Sequence, residues 1–322
     1  MTVIRARVLG FCMGVRRAVD LAEEELAPDG SAVSGVYSYG PLIHNPQILR
    51  ALEKRGLGII DENDPANPVH PSVVLVRAHG INPALEENIR RRGARIVDAT
   101  CPKVKANQKT ALNLARRGLI VFIAGEKTHA EVQGIAGYVE AGAAMSGKTA
   151  SGKSVALDEV SAGGTACPRA WIIVGNAAEA KAAAYVLRRE QPGVKAALIA
   201  QTTLSEDEYA LIAEAITETF PDLEIHSTIC GATRERQDAL RELCIRCDAI
   251  VIAGGKESAN TRRLLAIARQ CGKPAWLIET AADLPPELKE YQTLGLSAGA
   301  STPDGVIEEI FAVLTRGEKK LL

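Results

Sequence analysis

The chain has 322 residues, of which 47% are hydrophobic and 24% are charged, and these proportions exclude an intrinsically disordered protein. Its 38 Lys and Arg residues balance 39 Asp and Glu residues, which argues against a dedicated nucleic-acid binder or a polybasic membrane binder. No apolar run approaches the roughly 18 residues that span a bilayer, and the first residues lack a signal-peptide core, so we expect a cytoplasmic protein of two or three domains.

Short β-branched runs alternate with longer helical patterns along the whole chain. The predicted strands cover residues 3–9, 73–77, 95–97, 119–124, 170–174, 196–199, 249–253 and 275–278. The predicted helices cover residues 15–26, 84–92, 105–117, 207–220, 234–244 and 261–270. Nearly uniform apolar strands are typical of parallel sheets covered on both faces, so the alternation predicts an α/β fold. Residues 140–168 are rich in Gly, Ala, Ser and Thr and are predicted to form an irregular loop or insertion.

Three of the seven cysteines occupy the same kind of position, just ahead of a predicted helix. They are Cys12, Cys101 and Cys230, and Thr100 and Thr228 nearby are expected to cap the helices. Parallel α/β sheets build their sites at the carboxyl ends of strands, and a helix N-terminus lowers the pKa of a thiol. The pattern therefore predicts one centre with three thiolates, although each cysteine alone also fits a buried core position.

The other four cysteines fit packing or surface positions. Cys244 and Cys247 form a C-x-x-C pair, but they continue an apolar helical stripe, and no second pair follows to complete zinc coordination. Cys271 precedes a glycine at a predicted helix end, and Cys167 lies in the irregular segment. An odd total in a cytoplasmic chain also disfavours a disulfide framework.

A second group of polar side chains lies near predicted strand ends or helix starts. Backbone N–H groups at helix N-termini, combined with hydroxyls and imidazoles, suit a diphosphate or another multiply charged oxyanion. Each serine or asparagine taken alone also fits a simple helix cap. The group comprises His44, His79, His129, Ser258, Asn260 and Ser301.

Residues 147–154, G-K-T-A-S-G-K-S, match the G-x-x-x-x-G-K-[ST] phosphate-loop pattern. That pattern indicates a nucleotide site only where it follows a strand and opens a helix. Neither flank indicates such a context, so a chance match in a loop rich in Gly, Ser and Lys is favoured.

Nine motifs occur in a fixed order: G-F-C-M-G-V-R-R-A, H-N-P, A-H-G, D-A-T-C-P, H-A-E-V, Q-T-T-L-S, I-C-G-A-T, S-A-N and A-G-A-S-T-P-D. Together they closely resemble the 4-hydroxy-3-methylbut-2-enyl diphosphate reductase family, also called IspH/LytB, from residue 8 to about residue 304. Members of that family catalyse the last step of the methylerythritol phosphate route to isoprenoids.

The resemblance implies three similar α/β units with mainly parallel sheets arranged around a central cofactor site. The implied units are residues 14–101, residues 102–226, and residues 1–13 together with 227–322. It also implies one [4Fe–4S] cluster per chain, held by Cys12, Cys101 and Cys230, with the fourth iron open to substrate.

The resemblance also assigns residue roles and partners. Glu131 matches the family's proton-delivering glutamate, Thr202 matches its hydroxyl-contacting threonine, and His129 joins them in the catalytic set. The implied reaction reduces an allylic alcohol diphosphate, with loss of water, to isopentenyl and dimethylallyl diphosphates. Ferredoxin or flavodoxin is the implied electron donor, and neither a nucleic acid nor a membrane is an expected partner. The implied diphosphate pocket contains His44, His79, His129, Thr202, Ser258, Asn260 and Ser301.

Two short motifs depart from the family pattern. Ala130 stands where the family often has proline, and Ala259 stands where it often has serine, so one hydroxyl to phosphate is missing. These departures concern substrate affinity rather than the reaction.

Three other functions remain open from the residues alone. A zinc hydrolase could use the same three cysteines with an open fourth position. A nucleotide-binding module could use residues 147–154, and an oxygen-sensing or scaffold protein could carry a cluster without turnover.

Overall fold

A computed structural model describes residues 1–26, 35–61, 73–146 and 170–316. Helices and strands alternate along these residues, which confirms the α/β class. The described strands are β1 (Thr2–Arg5), β2 (Val36–Tyr39), β3 (Gly58–Ile60), β4 (Val73–Val76), β5 (Arg95–Asp98), β6 (Ile120–Ala124), β7 (Trp171–Val174), β8 (Ala196–Ala200), β9 (Glu224–Ile225), β10 (Ala249–Ala253), β11 (Ala275–Ile278) and β12 (Thr293–Ala298). The described helices are α1 (Met13–Glu25), α2 (Pro46–Lys54), α3 (Pro83–Arg91), α4 (Pro102–Arg116), α5 (Ala130–Met145), α6 (Ala177–Glu190), α7 (Glu206–Thr217), α8 (Gly231–Arg246), α9 (Ala259–Gln270) and α10 (Asp304–Thr315).

The described strands form three four-stranded sheets, as the fold prediction requires. One sheet has the order β1-β12-β10-β11, and its strand pairs are all parallel. A second has the order β7-β6-β8-β9, again with every pair parallel. The remaining four strands include the parallel pairs β2 with β3 and β4 with β5.

Strands β6 and β10 are apolar at every position because both faces of their sheets are covered. In β6, Phe122 packs into the core on one face of its sheet, while Val121 and Ile123 pack into the core on the other. In β10, Ile250 and Val251 divide in the same way between two cores. Burial on both faces explains why the sequences of these strands are continuous hydrophobic runs.

The described chain divides into two compact units, residues 1–64 with 230–322, and residues 65–229. The strands of each sheet fall within one of the three units expected from the sequence, but the boundaries of those units stay a prediction. No helix among the described residues is long and apolar enough to cross a membrane.

Two predicted elements differ from the structure. Strand β1 ends at Arg5 rather than at residue 9, because the chain bends after Ala6, whose N–H still donates to the carbonyl of Leu296. Residues 140–146 are not part of an irregular loop, because α5 continues to Met145 and its C-cap is Ser146. The rest of that segment, including Cys167, lies outside the described residues.

The residues before the phosphate-loop pattern form a helix rather than a strand. Residues 147–154 lie outside the described residues, but they directly follow helix α5 and its C-cap. A phosphate loop requires a preceding strand, so this context disfavours a nucleotide site there.

Candidate active site

The three candidate ligand cysteines occupy the N-cap positions of three helices. Cys12 precedes α1, Cys101 precedes α4 and Cys230 precedes α8, and none of the three side chains makes a capping hydrogen bond. Each is partly exposed, and none of the three is in a disulfide. Cysteine sulfur is a common metal ligand, so these three side chains are candidates to hold a metal centre.

The neighbouring threonines are not the caps of these helices, which corrects the prediction for both. Thr228 instead bonds through Oγ1 to the backbone of Ala200, accepting from its N–H at 2.7 Å and donating to its carbonyl at 2.8 Å. Thr100 lies one residue before the cap, and its N–H donates to Asp98 Oδ1 at 3.0 Å. The cysteine side chains therefore take the position usually held by a capping hydroxyl.

In the first compact unit, Cys12 lies beside the loop that follows β12. The N–H of Cys12 donates to the carbonyl of Ala300 at 3.0 Å. The next residue, Ser301, donates through Oγ to the carbonyl of His44 at 3.1 Å. A Cβ at Gly255 would lie 2.6 Å from that same carbonyl, so glycine lets the chain after β10 approach His44. The unit thus brings Cys12, His44 and Ser301 to one edge of its sheet.

The same unit places an unsatisfied amide at the N-terminus of α9. Ser258 is the N-cap, and its Oγ accepts from the N–H of Thr261 at 3.4 Å. Asn260 is buried, and neither of its amide atoms has a hydrogen-bond partner within the described chain. A buried amide without partners is costly, so Asn260 indicates a ligand that would supply them.

In the second compact unit, Cys101 lies beside the histidine that follows β4. The N–H of Cys101 donates to the carbonyl of Ala78 at 2.9 Å, and His79 is the next residue. The rings of His79 and His129 meet edge to face, with centroids 5.3 Å apart. The unit therefore brings one of the three cysteines together with two of the predicted diphosphate-binding histidines.

His129 is also the N-cap of α5, and its ring orientation is set by the helix. Its Nδ1 accepts from the N–H of Glu131 at 3.2 Å. An Nδ1 that accepts leaves Nε2 as the protonated nitrogen of the neutral imidazole. That N–H is a suitable donor to an anionic oxygen.

A buried carboxyl lies next to this histidine. Glu131 is only 1% exposed; Oε1 accepts from the N–H of Thr202 at 2.7 Å, and Oε2 accepts from its hydroxyl at 2.8 Å. Burial raises the pKa of Glu131 to about 7, and the two hydrogen bonds from Thr202 oppose that rise. A carboxyl with such a pKa can donate a proton near neutral pH.

One buried residue near the cysteines was not expected from the sequence. Arg236 of α8 is 3% exposed and donates to the carbonyl of Gly10, two residues before Cys12. The available signal was an arginine in the helical stripe that continues through Ala239, Leu240 and Leu243. Charged side chains in such a stripe are rarely fully buried unless they are paired.

The remaining cysteines agree with their predicted roles where the structure describes them. Cys244 and Cys247 are buried in a core of the first unit, where burial raises the pKa of both thiols. Cys271 is exposed at the C-cap of α9.

The chain matches the LytB protein family over residues 3–315. It belongs to the LytB family. A curated relative from Treponema denticola, named 4-hydroxy-3-methylbut-2-enyl diphosphate reductase, is 41% identical over 100% of this chain and 99% of the relative. A relative of the same name from Aquifex aeolicus is 36% identical over 96% of this chain and 94% of its own length.

Solved structures of LytB-family reductases share this fold. The E-1-hydroxy-2-methyl-but-2-enyl-4-diphosphate reductase from Plasmodium falciparum superposes with a TM-score of 0.79 at 27% identity, over 98% of this chain and 88% of that one. A second structure, described as the terminal enzyme of the non-mevalonate pathway, gives a TM-score of 0.63 at 33% identity. The match covers 98% of this chain and 100% of that one. The family resemblance drawn from the nine motifs is thereby confirmed.

Proposed function

We propose that this LytB-family chain is an oxidoreductase that converts (E)-4-hydroxy-3-methylbut-2-enyl diphosphate to isopentenyl and dimethylallyl diphosphates. The allylic C–O bond breaks, a C–H bond forms, and the substrate takes up two electrons and two protons while water leaves. The observation that carries the proposal is the buried Glu131, whose pKa of about 7 suits a group that protonates a leaving hydroxyl. The names of the relatives support the substrate assignment.

The described cysteines fit a [4Fe–4S] cluster with three protein ligands. The three candidate ligands, Cys12, Cys101 and Cys230, are partly exposed thiols at helix N-termini. None of these side chains makes a capping hydrogen bond. Thiolates are the usual protein ligands of such clusters, and three of them leave one iron without a protein ligand. When bound, the cluster supplies single electrons and an iron with an open position for the substrate oxygen.

The polar residues assigned from the family resemblance are proposed to bind the diphosphate. His129 presents Nε2 as a donor, and Asn260 has two buried amide atoms that a phosphate oxygen and a substrate hydroxyl or water could satisfy. His44, His79, Ser258 and Ser301 are assigned to the same pocket, and Ala259 contributes no hydroxyl there.

We propose that Glu131 donates a proton to the leaving hydroxyl of the substrate. Thr202 would orient both the Glu131 carboxyl and that hydroxyl. The Thr202 hydroxyl holds one carboxyl oxygen, and its backbone N–H holds the other, so the carboxyl keeps one orientation. Ferredoxin or flavodoxin as electron donor, a cytoplasmic location, and the lack of membrane and nucleic-acid partners stay predictions.

Anaerobic reconstitution tests the proposal directly. We expect the chain to take up four irons and sulfides, and we expect substrate to reoxidise the dithionite-reduced protein with formation of the two products. A colourless zinc protein with hydrolytic activity would contradict the assignment, and a reduced cluster that substrate does not reoxidise would favour a sensor or scaffold.

Single cysteine variants test the ligand set. We expect Cys12→Ser, Cys101→Ser and Cys230→Ser each to lose most of the bound iron and at least 100-fold in turnover. The matched control is Cys271→Ser, because Cys271 is exposed at a helix end and should keep wild-type iron content. Wild-type iron in any of the first three variants would remove that cysteine from the ligand set.

A further inference from the structure

Arg236 carries a buried positive charge in the first compact unit without a carboxylate partner. Its Nη1 donates to the carbonyl of Ala232 at 2.8 Å, and its Nη2 donates to the carbonyl of Gly10 at 2.7 Å. Its Nε has no hydrogen-bond partner, and no carboxylate forms an ion pair with it, among the residues that the structure describes. Burying an unpaired charge is unfavourable, so a counter-charge is expected nearby.

The charges that act on Arg236 most favourably are those of two candidate ligands. Burial lowers the pKa of Arg236 from its ordinary value, and negative charge on Cys12, on Cys230 and, to a smaller extent, on Glu235 opposes that shift. A free thiol is mostly neutral at pH 7, whereas a metal-bound cysteine is a thiolate. The buried guanidinium is therefore compensated when both cysteines act as ligands.

The hydrogen bond to Gly10 also connects the two ligand-bearing segments. Gly10 lies in the turn before Cys12 and has a φ of +80°, a conformation that favours glycine. Arg236 lies in the second turn of α8, the helix whose N-cap is Cys230. A single side chain thus fixes the turn before Cys12 to the helix that follows Cys230.

We propose that Arg236 is a positioning residue for the iron–sulfur centre, holding Cys12 and Cys230 in place and stabilising the electron-rich state of the centre through its positive charge. The proposal rests on the cluster assignment made above. A fixed positive charge near a cluster favours the one-electron reduced form, so it raises the reduction potential. No proton transfer is involved.

Redox titration of the reconstituted protein, followed by electron paramagnetic resonance, tests the charge. We expect Arg236→Gln to lower the ratio of reduced to oxidised cluster at a fixed potential by about tenfold. For one electron, that change corresponds to a fall of about 59 mV in the reduction potential. Arg234→Gln is the matched control, because it removes the same charge from an exposed position on the same helix. It should titrate like the wild type.

Arg236→Lys tests the positioning role while keeping the charge. We expect its potential to stay near that of the wild type, while iron release to a chelator becomes several-fold faster because lysine cannot make both carbonyl contacts. This variant also decides the proposal if Arg236→Gln fails to fold, since a wild-type release rate would overturn the positioning role.

The two proposals fail in different ways. If the wild type takes up no iron and sulfide, the cluster assignment and this inference are both wrong. If the wild type and Arg236→Gln hold full clusters with the same potential, only the role of Arg236 is overturned.

Discussion

Among single residues, Glu131 shows how environment decides chemistry. Its carboxyl is buried at the first turn of α5, yet it keeps two hydrogen bonds from Thr202, which lies 71 residues further along the chain. Burial penalises the ionised form more than these bonds favour it, so the pKa rises to about 7. Below that pH the group holds a proton it can deliver, and above it the donor form is progressively lost.

Glu131→Gln is predicted to keep the cluster but to lose about 10²–10⁴-fold in turnover, the range typical for losing a general acid. The glutamine can accept from the Thr202 N–H and donate to its hydroxyl, so the local geometry is retained. Glu214→Gln is the control, because Glu214 is an exposed acid on α7. Steady-state reductase assays decide the outcome, and near-normal turnover in Glu131→Gln would exclude the acid role.

The same carboxyl makes a pH-dependent contribution to stability. Because its folded pKa lies above the ordinary value of 4.5, the folded state binds more protons between about pH 4.5 and 7, and stability falls as pH rises through that window. Glu131→Gln removes this dependence. Thermal melts of the two proteins at pH 5 and pH 8 should show the variant gaining on the order of 3 kcal/mol relative to the wild type at the higher pH. An unchanged difference would contradict the raised pKa.

At the scale of elements, several candidate site residues lie at helix N-termini that follow parallel strands. Cys12, Cys101 and Cys230 are N-caps, and so are His129 and Ser258. This geometry follows from the α/β repeat, because each strand delivers the chain to the same edge of its sheet before the helix begins.

Helices α4 and α5 pack closely through Gly142. A Cβ at Gly142 would overlap the backbone carbonyl of Leu112, which has no flexible end to move aside. Gly142→Ala is predicted to destabilise the protein by about 1–3 kcal/mol, as overpacking usually does. It would also displace the two helices that begin at Cys101 and His129.

Urea unfolding measures that loss, and Gly305→Ala is its matched control. Gly305 lies in the first turn of α10, where a Cβ meets no atom within 4 Å. We expect the control to be neutral or up to about 1 kcal/mol more stable. If Gly142→Ala and Gly305→Ala had the same free energy of unfolding, α4 and α5 would be able to move apart without loss of stability.

For the whole molecule, the proposed ligands are far apart in sequence, at residues 12, 101 and 230. An unfolded chain offers no such preformed set of three thiolates, so metal binding energy is gained mainly by the folded state. Loss of the cluster should therefore destabilise the entire fold rather than one loop.

Removing iron with a chelator under anaerobic conditions is predicted to lower the melting temperature by several degrees. Calorimetry of the loaded and stripped forms measures the difference. Cys271→Ser should show the same loss on stripping, whereas Cys101→Ser should melt like the stripped wild type from the start. If the iron-loaded and iron-stripped proteins had the same melting temperature, the result would argue against ligation of the cluster by the folded chain.

Hydrophobic periodicity was enough to predict most helices and central strands, but it misassigned the end of α5. Residues 140–145 are mostly glycine and alanine, which locally resemble a loop, yet Gly142 is there because α5 packs tightly against α4. A Cβ at Gly137 would overlap the side chain of Asn82. Close packing between helices is a tertiary property that composition cannot distinguish from a flexible segment.

The order of short motifs and the placement of three cysteines ahead of helices were readable from the sequence, because strand–helix succession is encoded locally. The pKa of Glu131 and the burial of Arg236 were not, since both depend on segments distant in the chain. Desolvation is set by everything packed around a group, and that packing exists only in the folded protein. Sequence alone therefore determined which residues are candidates to meet the substrate and the cluster, whereas tertiary structure decided how acidic, how buried and how firmly held these residues are.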